Sequence, residues 1–293
     1  MIAILSDIHA NLPALEAVLA DMRVTNAKWN AIWLTGDYLG GMPHPCETMD
    51  RLMALSDDWH VPVSIVLGNH DQTILELHQG MHPEMWQTTQ WGLMTWTVGQ
   101  LQPHHWAMLE GLQQTASVPY GNGQRALLFH GRPQNIRAKI LEQKDAEEVA
   151  KSVSETILAC GHSHQTRMFR VDDKRVINVG SVSNTVEGLG GHACYVLLDE
   201  TTGMTTFRYV GYDVEKAIQA LRNSSSWERA SGVARAWGLE MRTGRQHLMG
   251  LVTFANAYAE RELGHPVKMI PPDLWLTAEQ QWDGSEWLPG RAL

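Results

Sequence analysis

The stretch "MIAILSDIHANLPALEAVLADM" (Met1–Met22) holds the pattern on which the fold turns. Met1 to Leu5 is a short apolar run of the kind that forms a buried strand. Asn11 and Pro13 make an N-cap and first-turn pair. Leu12, Leu15, Val18, Leu19 and Met22 then recur at helical spacing. The order is strand, loop, helix, with Asp7 and His9 on the loop at the carboxyl end of the strand. In open α/β sheets that is the edge where ligands bind.

The same arrangement returns further along. "AIWLTGD" (Ala31–Asp37) is an apolar strand ending in Gly-Asp, and "VPVSIVLGNHD" (Val61–Asp71) ends in Gly-Asn-His-Asp. "RALLFHG" (Arg125–Gly131) ends in His-Gly, and "TILACGHSH" (Thr156–His164) ends in Gly-His-Ser-His. "RVINVGSVS" (Arg175–Ser183) is one more strand, and two runs flanking "ETTG" (Glu200–Gly203) read as a hairpin. Five strand exits therefore carry Asp, Asn or His, and all but the first set a glycine beside them. Strand ends gathered along one sheet edge would bring these loops together.

The residues so collected are Asp7, His9, Asp37, Asn69, His70, His130, His162 and His164. Carboxylate, amide oxygen and imidazole together suit Mn, Fe, Zn or Co better than Ca or Mg. One metal would use four of them; seven, with one carboxylate shared, suit a pair. Such a pair can bind both the attacking and the departing oxygen of a phosphoryl displacement. The remaining histidines, His44, His104 and His105 among them, fit no such block and read as surface or core residues.

Composition narrows the partners. The 293 residues are 44% hydrophobic and 19% charged, enough for a real core. The net charge of −9 argues against a broad grip on long nucleic acid, but not against a small phosphate substrate. Three widely spaced cysteines, Cys46, Cys160 and Cys194, suggest free thiols rather than a disulfide framework. The first residues do not read as a signal peptide, and no run reaches the length of a membrane span, so the expectation is a cytoplasmic protein. Between Gln72 and Pro119 the chain reads as helices inserted between strands. From Asp213 onward it is helical again and carries five of the twelve tryptophans.

"DIH", "GD", "GNHD", "H" and "GHSH", in this order, resemble the metallophosphoesterases of the calcineurin-like superfamily, over about residues 1 to 210. The "SDIHAN" opening and the "TWTVGQL" after "GNHD" are most similar to the small bacterial and archaeal predicted phosphodiesterases. The resemblance implies an α/β (α+β) fold: a four-layer αββα sandwich of two mixed β-sheets flanked by helices. Residues 1–211 would form this domain, with a helical insertion at about 72–118. Residues 212–293 would be a Trp-rich helical extension packed on the core or forming a homo-oligomer contact.

Carried over by position, the resemblance implies two divalent transition metal ions, with manganese taken first. Asp7, His9 and His164 would hold one, Asn69, His130 and His162 the other, and Asp37 would bridge them. An extended "GHSH" loop would point both imidazoles the same way, one to each ion. His70 would be the general acid, with Asp71 accepting from its ring, and a metal-bridging hydroxide the nucleophile. Asn11 is a substrate contact or only a helix cap. Arg132, where the family often has a small residue, is a phosphate contact or a surface ion pair. Asn178 and Ser181 read as turn residues that shape the site.

The implied reaction is hydrolysis of a small phosphate ester, first of all a phosphodiester, because a poor leaving group gains most from an acid such as His70. Phosphomonoesters, phosphoprotein and dinucleoside polyphosphates share the same core. A metal-free scaffold is the reading from another class, and the intact set of positions speaks against it.

Overall fold

The computed structural model describes residues 1–25, 27–121 and 123–287, so 288–293 of the expected extension lie outside the described residues. The chain opens as its pattern predicts, with β1 (Ile2–Leu5) and α1 (Leu12–Val24). The Asn11 side chain accepts from Ala14 N–H, and Leu15, Val18, Leu19 and Met22 are buried. Then come β2 (Ala31–Leu34), α2 (Pro45–Met53), α3 (Leu55–Trp59) and β3 (Val63–Ile65). The inserted helical segment follows: α4 (Asn69–His78), two 3-10 turns (Pro83–Gln87 and Thr89–Trp91), α5 (Gly92–Val98) and α6 (Pro103–Gly111).

The insertion ends earlier than about 118. Residues Thr115–Tyr120 form β4, an edge strand paired antiparallel with β5 (Gln124–Phe129). Pro119 is tolerated there because an edge strand has one side free of ladder bonds. Next are α7 (Gln143–Lys151), β6 (Ile157–Cys160), β7 (Thr166–Val171) and β8 (Lys174–Val179). β7 is a second edge strand; Arg167 and Met168 are exposed, so its sequence lacks an apolar signature. The hairpin is β9 (His192–Leu198) with β10 (Thr205–Gly211). Helices α8 (Val214–Asn223), α9 (Ser225–Arg229), α10 (Ser231–Thr243), α11 (His247–Leu263) and α12 (Pro272–Gln281) complete the described chain.

Two mixed five-stranded sheets result, ordered β10-β9-β1-β2-β3 and β4-β5-β6-β8-β7. Ile2, Ile4, Trp33, Leu128, Ile177 and Val196 fill the space between them. The alternation of side chains sends Leu127, Phe129 and Leu158 the other way, onto Ala146, Val149 and Ala150 around α7. Helix α1 covers the outer face of the first sheet with Leu15, Val18 and Leu19. This is the four-layer sandwich. The parallel runs β1-β2-β3 and β5-β6 put five exits at one edge.

The C-terminal helices build their own apolar cluster around Ile218, Trp237, Leu251, Trp275 and Trp282. Ala10, Met42 and Leu93, from loops at that edge and from α5, belong to the same cluster, so these helices roof the strand exits. Among the described residues no helix is long and apolar enough to cross a membrane. The three cysteines are free, with Cys160 and Cys194 buried.

Candidate metal centre

The β1 exit delivers Asp7 and His9, the β2 exit Asp37, and the β3 exit Asn69 and His70 at the start of α4. The β5 exit delivers His130, and the β6 exit His162 and His164. Asp7, His9, Asp37, Asn69 and His130 are all buried. Two clusters suited to a cation form from them: Asp7 with His9 and His164, and Asp37 with His130 and His162. His9, Asp37 and His70 form a third, overlapping group. So the eight expected positions do meet, and Asn69 Oδ1 lies 3.0 Å from His130 Nε2.

Getting them there strains the backbone. Asp7, His9, Ala10, Asp37, His162 and His164 all adopt positive φ, between 50° and 69°. Non-glycine residues do this rarely, and such strain collects at functional sites. The "GHSH" loop is therefore curled rather than extended, which is how it sends its two rings to different clusters. Two glycines are required by close approach. A Cβ on Gly68 would stand 2.0 Å from Asp37 N, and one on Gly161 would stand 1.9 Å from Ser6 Oγ.

The ring tautomers carry the chemistry. Nδ1–H donates to a backbone carbonyl in three rings: His9 to Leu39 (3.1 Å), His130 to Thr35 (2.8 Å) and His164 to Asn184 (3.0 Å). His162 is reversed, with Nε2–H donating to Arg137 O at 2.9 Å. A carbonyl can only accept, so in the neutral ring the other nitrogen is the one left with a lone pair. The lone pairs converge. His9 Nε2 and His164 Nε2 are 3.2 Å apart, and Asp7 Oδ1 is 3.2 Å from the latter. His130 Nε2 faces Asp37 Oδ2 at 3.1 Å as well as the Asn69 amide oxygen. Acceptors packed this closely repel one another unless a proton or a cation lies between them. A carbonyl behind a ligating imidazole is the usual outer partner at metal sites.

Protonation follows the same field. Burial, then the charge it shares space with on His70, drives His9 down to about 3. Burial and neighbouring His130 take His162 to about 4. Burial also opposes charge on His130, but Asp37 beside it wins and lifts it to about 9. His164 rises too, against its burial, because of Asp7. For Asp7 burial acts upward, yet His164 and His130 bring it to about 2. The field that holds protons on two of the rings would equally hold cations.

Residues 1–203, more than half of the chain, match the calcineurin-like phosphoesterase superfamily domain. The chain belongs to that superfamily. It is 25% identical over 236 residues to an uncharacterized protein of Methanocaldococcus jannaschii, covering 75% of this chain and 91% of that one. A shorter stretch of 81 residues is 36% identical to a symmetrical bis(5'-nucleosyl)-tetraphosphatase of Psychromonas ingrahamii, covering 28% of each chain. The crystal structure of a metallophosphoesterase from Sphaerobacter thermophilus is similar at a TM-score of 0.62 and 25% identity, over 80% of this chain and 99% of that one.

Asp71 has other partners than expected, and Arg132 and Asn11 each take one of their two expected roles. Asp71 does not hold the His70 ring, whose Nδ1 has no partner among the described residues. Instead its oxygens accept four backbone N–H groups, from Asp37 (2.8 Å), Tyr38 (2.9 Å), Leu39 (3.1 Å) and Gly68 (3.0 Å). Burial, then the Asp37 charge, pushes its carboxyl up to about 7 while those donors act the other way. Arg132 is held by Asp145 (2.6 Å) and Glu148 (2.9 Å), the ion-pair alternative, and does not line the cleft. Asn11 is the helix cap, and its amide nitrogen donates to Ser183 O and Tyr212 Oη, both at 3.2 Å. Ser181 Oγ donates to Asp7 O at 2.9 Å and so braces the loop of a candidate ligand.

The cleft over the clusters is about 240 Å3, and the sequence reading missed much of its wall. Lys139 follows the β5 exit, while Trp237, Glu240, Gln246, Leu248 and Met249 come from α10, α11 and the link between them. All five of the latter lie beyond the superfamily match. The Trp237 ring centroid is 4.9 Å from that of His9. Glu240 Oε2 accepts from Asn184 Nδ2 at 2.7 Å, and Asn184 O in turn fixes His164. Helical periodicity marks these residues only as core; no motif announces them.

Proposed function

We propose that this protein is a phosphoester hydrolase working with two divalent transition metal ions, manganese foremost, and that its preferred substrate is a small phosphodiester. Asp7, His9 and His164 would hold one ion, Asn69, His130 and His162 the other, and Asp37 would bridge them. The observation that carries this reading is the set of four imidazoles each tied through one ring nitrogen to a carbonyl, with the other nitrogen grouped with a buried carboxylate. Ions bound there would neutralise phosphate charge and strengthen water as a nucleophile.

The chain's own groups would do the rest. His70 borders both the cleft and the space beside it, and it is the histidine of the constellation that no carbonyl anchors. Burial lowers its affinity for a proton, and the charge of Asp37 opposes that. A phosphate anion beside the ring would add to the opposition, favouring the protonated form that can donate to a leaving oxygen. Lys139 supplies positive charge at the cleft rim. The packing of the C-terminal helices over Ala10, Met42 and Leu93 supports reading residues 212–293 as part of one catalytic unit with residues 1–211.

The match to a bis(5'-nucleosyl)-tetraphosphatase favours one second reading, cleavage of a phosphoanhydride. The test is hydrolysis of bis-p-nitrophenyl phosphate, p-nitrophenyl phosphate and diadenosine tetraphosphate after chelation and Mn²⁺ readdition. Metal-restored turnover that favours the diester supports the proposal. Preference for the tetraphosphate moves the activity to the second reading, and no turnover on any of them with no ion bound would overturn both.

A further inference from the structure

A second cavity, of about 290 Å3, opens among the C-terminal helices, and none of its lining residues lines the cleft over the metal clusters. Helix α10 serves both spaces. Arg235, Gly238, Leu239 and Arg242 follow one another at i, i+3, i+4 and i+7, the spacing that shares one helix face, and they line the cavity. Trp237 and Glu240 fall on the opposite face and line the cleft.

The cavity reverses the sign of the chain. Lys and Arg number 23 against 32 Asp and Glu, yet Arg222, Arg235 and Arg242 line it with one carboxylate, Asp283. All four are exposed. Two of the guanidiniums are propped on indoles. Arg222 lies 5.7 Å from the Trp227 ring centroid, and Arg235 lies 4.9 Å from that of Trp282. Arg235 Nη2 also donates to Trp282 O at 2.5 Å. Arg242 pairs with Glu215 through Nε at 2.7 Å and Nη2 at 2.6 Å, an exposed pair that costs little to rearrange. Arg222 has no hydrogen-bond acceptor among the described residues. Guanidinium forks suit phosphate oxygens, and a phosphomonoester brings three of them with nearly two charges.

The floor is apolar, from Ile218, Ala234 and Leu239, and Gly238 deepens it. Glycine is a poor helix former, so each one inside a helix asks for a reason. Contact supplies it at Gly232 and Gly250, where a Cβ would stand 2.6 Å from Glu279 Cβ and 2.2 Å from Ser285 O. At Gly238 the nearest atoms, all of Ile218, would be 3.7 Å or more away, which is ordinary contact. No neighbour in the described chain demands glycine there. The missing side chain leaves room in the cavity.

We propose that this cavity is a second ligand site, taking a phosphomonoester whose phosphate meets the arginines and whose organic part lies on the apolar floor. The choice of a monoester as the natural ligand rests on the phosphodiesterase reading, since hydrolysis of a diester leaves one. Binding at the cavity can be measured without turnover. Full-length protein is titrated with phenylphosphonate (a monoester stand-in with no ester bond), inorganic phosphate and benzyl alcohol, with and without Mn²⁺, following heat.

One phenylphosphonate is expected to bind whether or not Mn²⁺ is present, about tenfold more tightly than inorganic phosphate, which leaves the floor unused. Benzyl alcohol, without the charge, should not saturate the protein. Arg222→Ala should weaken this event by about tenfold, the size of a hydrogen bond to a charged group, and Arg222→Glu should abolish it. Both should leave ester hydrolysis at the cleft unchanged. Gly238→Leu should fill the floor and weaken phenylphosphonate more than phosphate; should that variant not fold, the exposed Arg222 position decides. Phenylphosphonate binding only with Mn²⁺ would overturn the site. So would Mn²⁺-independent binding indifferent to both Arg222 variants, or phosphate binding as tightly as phenylphosphonate. Arg222-dependent binding in a protein that hydrolyses no ester would uphold the site while removing the phosphodiesterase reading. Hydrolysis without such binding would do the reverse.

Discussion

The edge of the sheets and the helical roof above it are built on opposite principles. At the edge, side chains are tied to backbone: one ring nitrogen of each of four histidines to a carbonyl, Asp71 to four amides, Ser181 to the Asp7 carbonyl, with His70 Nδ1 and Asn184 Oδ1 among the exceptions. The loops are bent into left-handed conformations to reach that arrangement. In the roof, shape dominates, and Gln90 and Trp91 keep polar atoms without a hydrogen-bond partner among the described residues. The difference teaches where each kind of information is stored. Chemistry that needs hard ligands is written in residue types at fixed places. Selection among substrates is written in the outline of a space, to which many apolar residues contribute a little.

The comparison can be broken most decisively at the edge. Asp37→Asn keeps the shape and removes the shared charge, so kcat should fall by about a thousandfold or more, with fewer ions retained on metal analysis. Undiminished turnover would mean that the edge is not the reacting centre. His70→Ala, at the seam of the two regions, should lower kcat/KM by roughly 10²–10⁴ for an alkyl diester. The loss should be far smaller for a p-nitrophenyl ester, whose leaving group needs no proton; equal losses on both would take away its role as an acid.

A roof substitution should separate cleanly from these. Trp237→Phe is expected to raise KM by up to about tenfold, from loss of stacking area, with metal content unchanged. If metal content falls instead, the roof is a structural part of the centre and the contrast fails. The smallest effect is in protons. His130 is lifted to about 9, so at pH 7 it holds a proton that an ion at Nε2 must expel. Ion affinity at the Asp37–His130–His162 cluster should therefore rise as pH climbs from 6 toward 9. Calorimetry in two buffers should detect about one proton released per ion at pH 7. No release would place that proton elsewhere.

These two principles also explain what could be read in advance. The strand exits were legible because Asp7, Asp37, Asn69, His130 and the "GHSH" pair stand directly after apolar runs, and a parallel sheet must gather such exits at one edge. The edge strands β4 and β7 were not, because Pro119 and the exposed Arg167 and Met168 disguise them. Asp71 looked like the partner of adjacent His70. Three of its four partners lie some thirty residues earlier, in the Asp37–Leu39 turn, and only the packed loops reveal them. Arg132 was legible only as a choice, which Asp145 and Glu148 on α7 decide. Trp237 and Glu240 were invisible as site residues, since a helix face turned to a cleft has the same periodicity as one turned to a core.

The four amides gathered on Asp71 have a further consequence. They lock the turn that carries Asp37 to the turn that carries Asn69, so the spacing between these two positions is set before any ion arrives. A cage that cannot dilate chooses its guest by radius. Calcium asks for six to eight oxygens at about 2.3–2.6 Å in a pliable shell. With ions held as proposed, this nitrogen-rich set of ligands, held from behind by a buried carboxylate, would offer it too few oxygens and too little give.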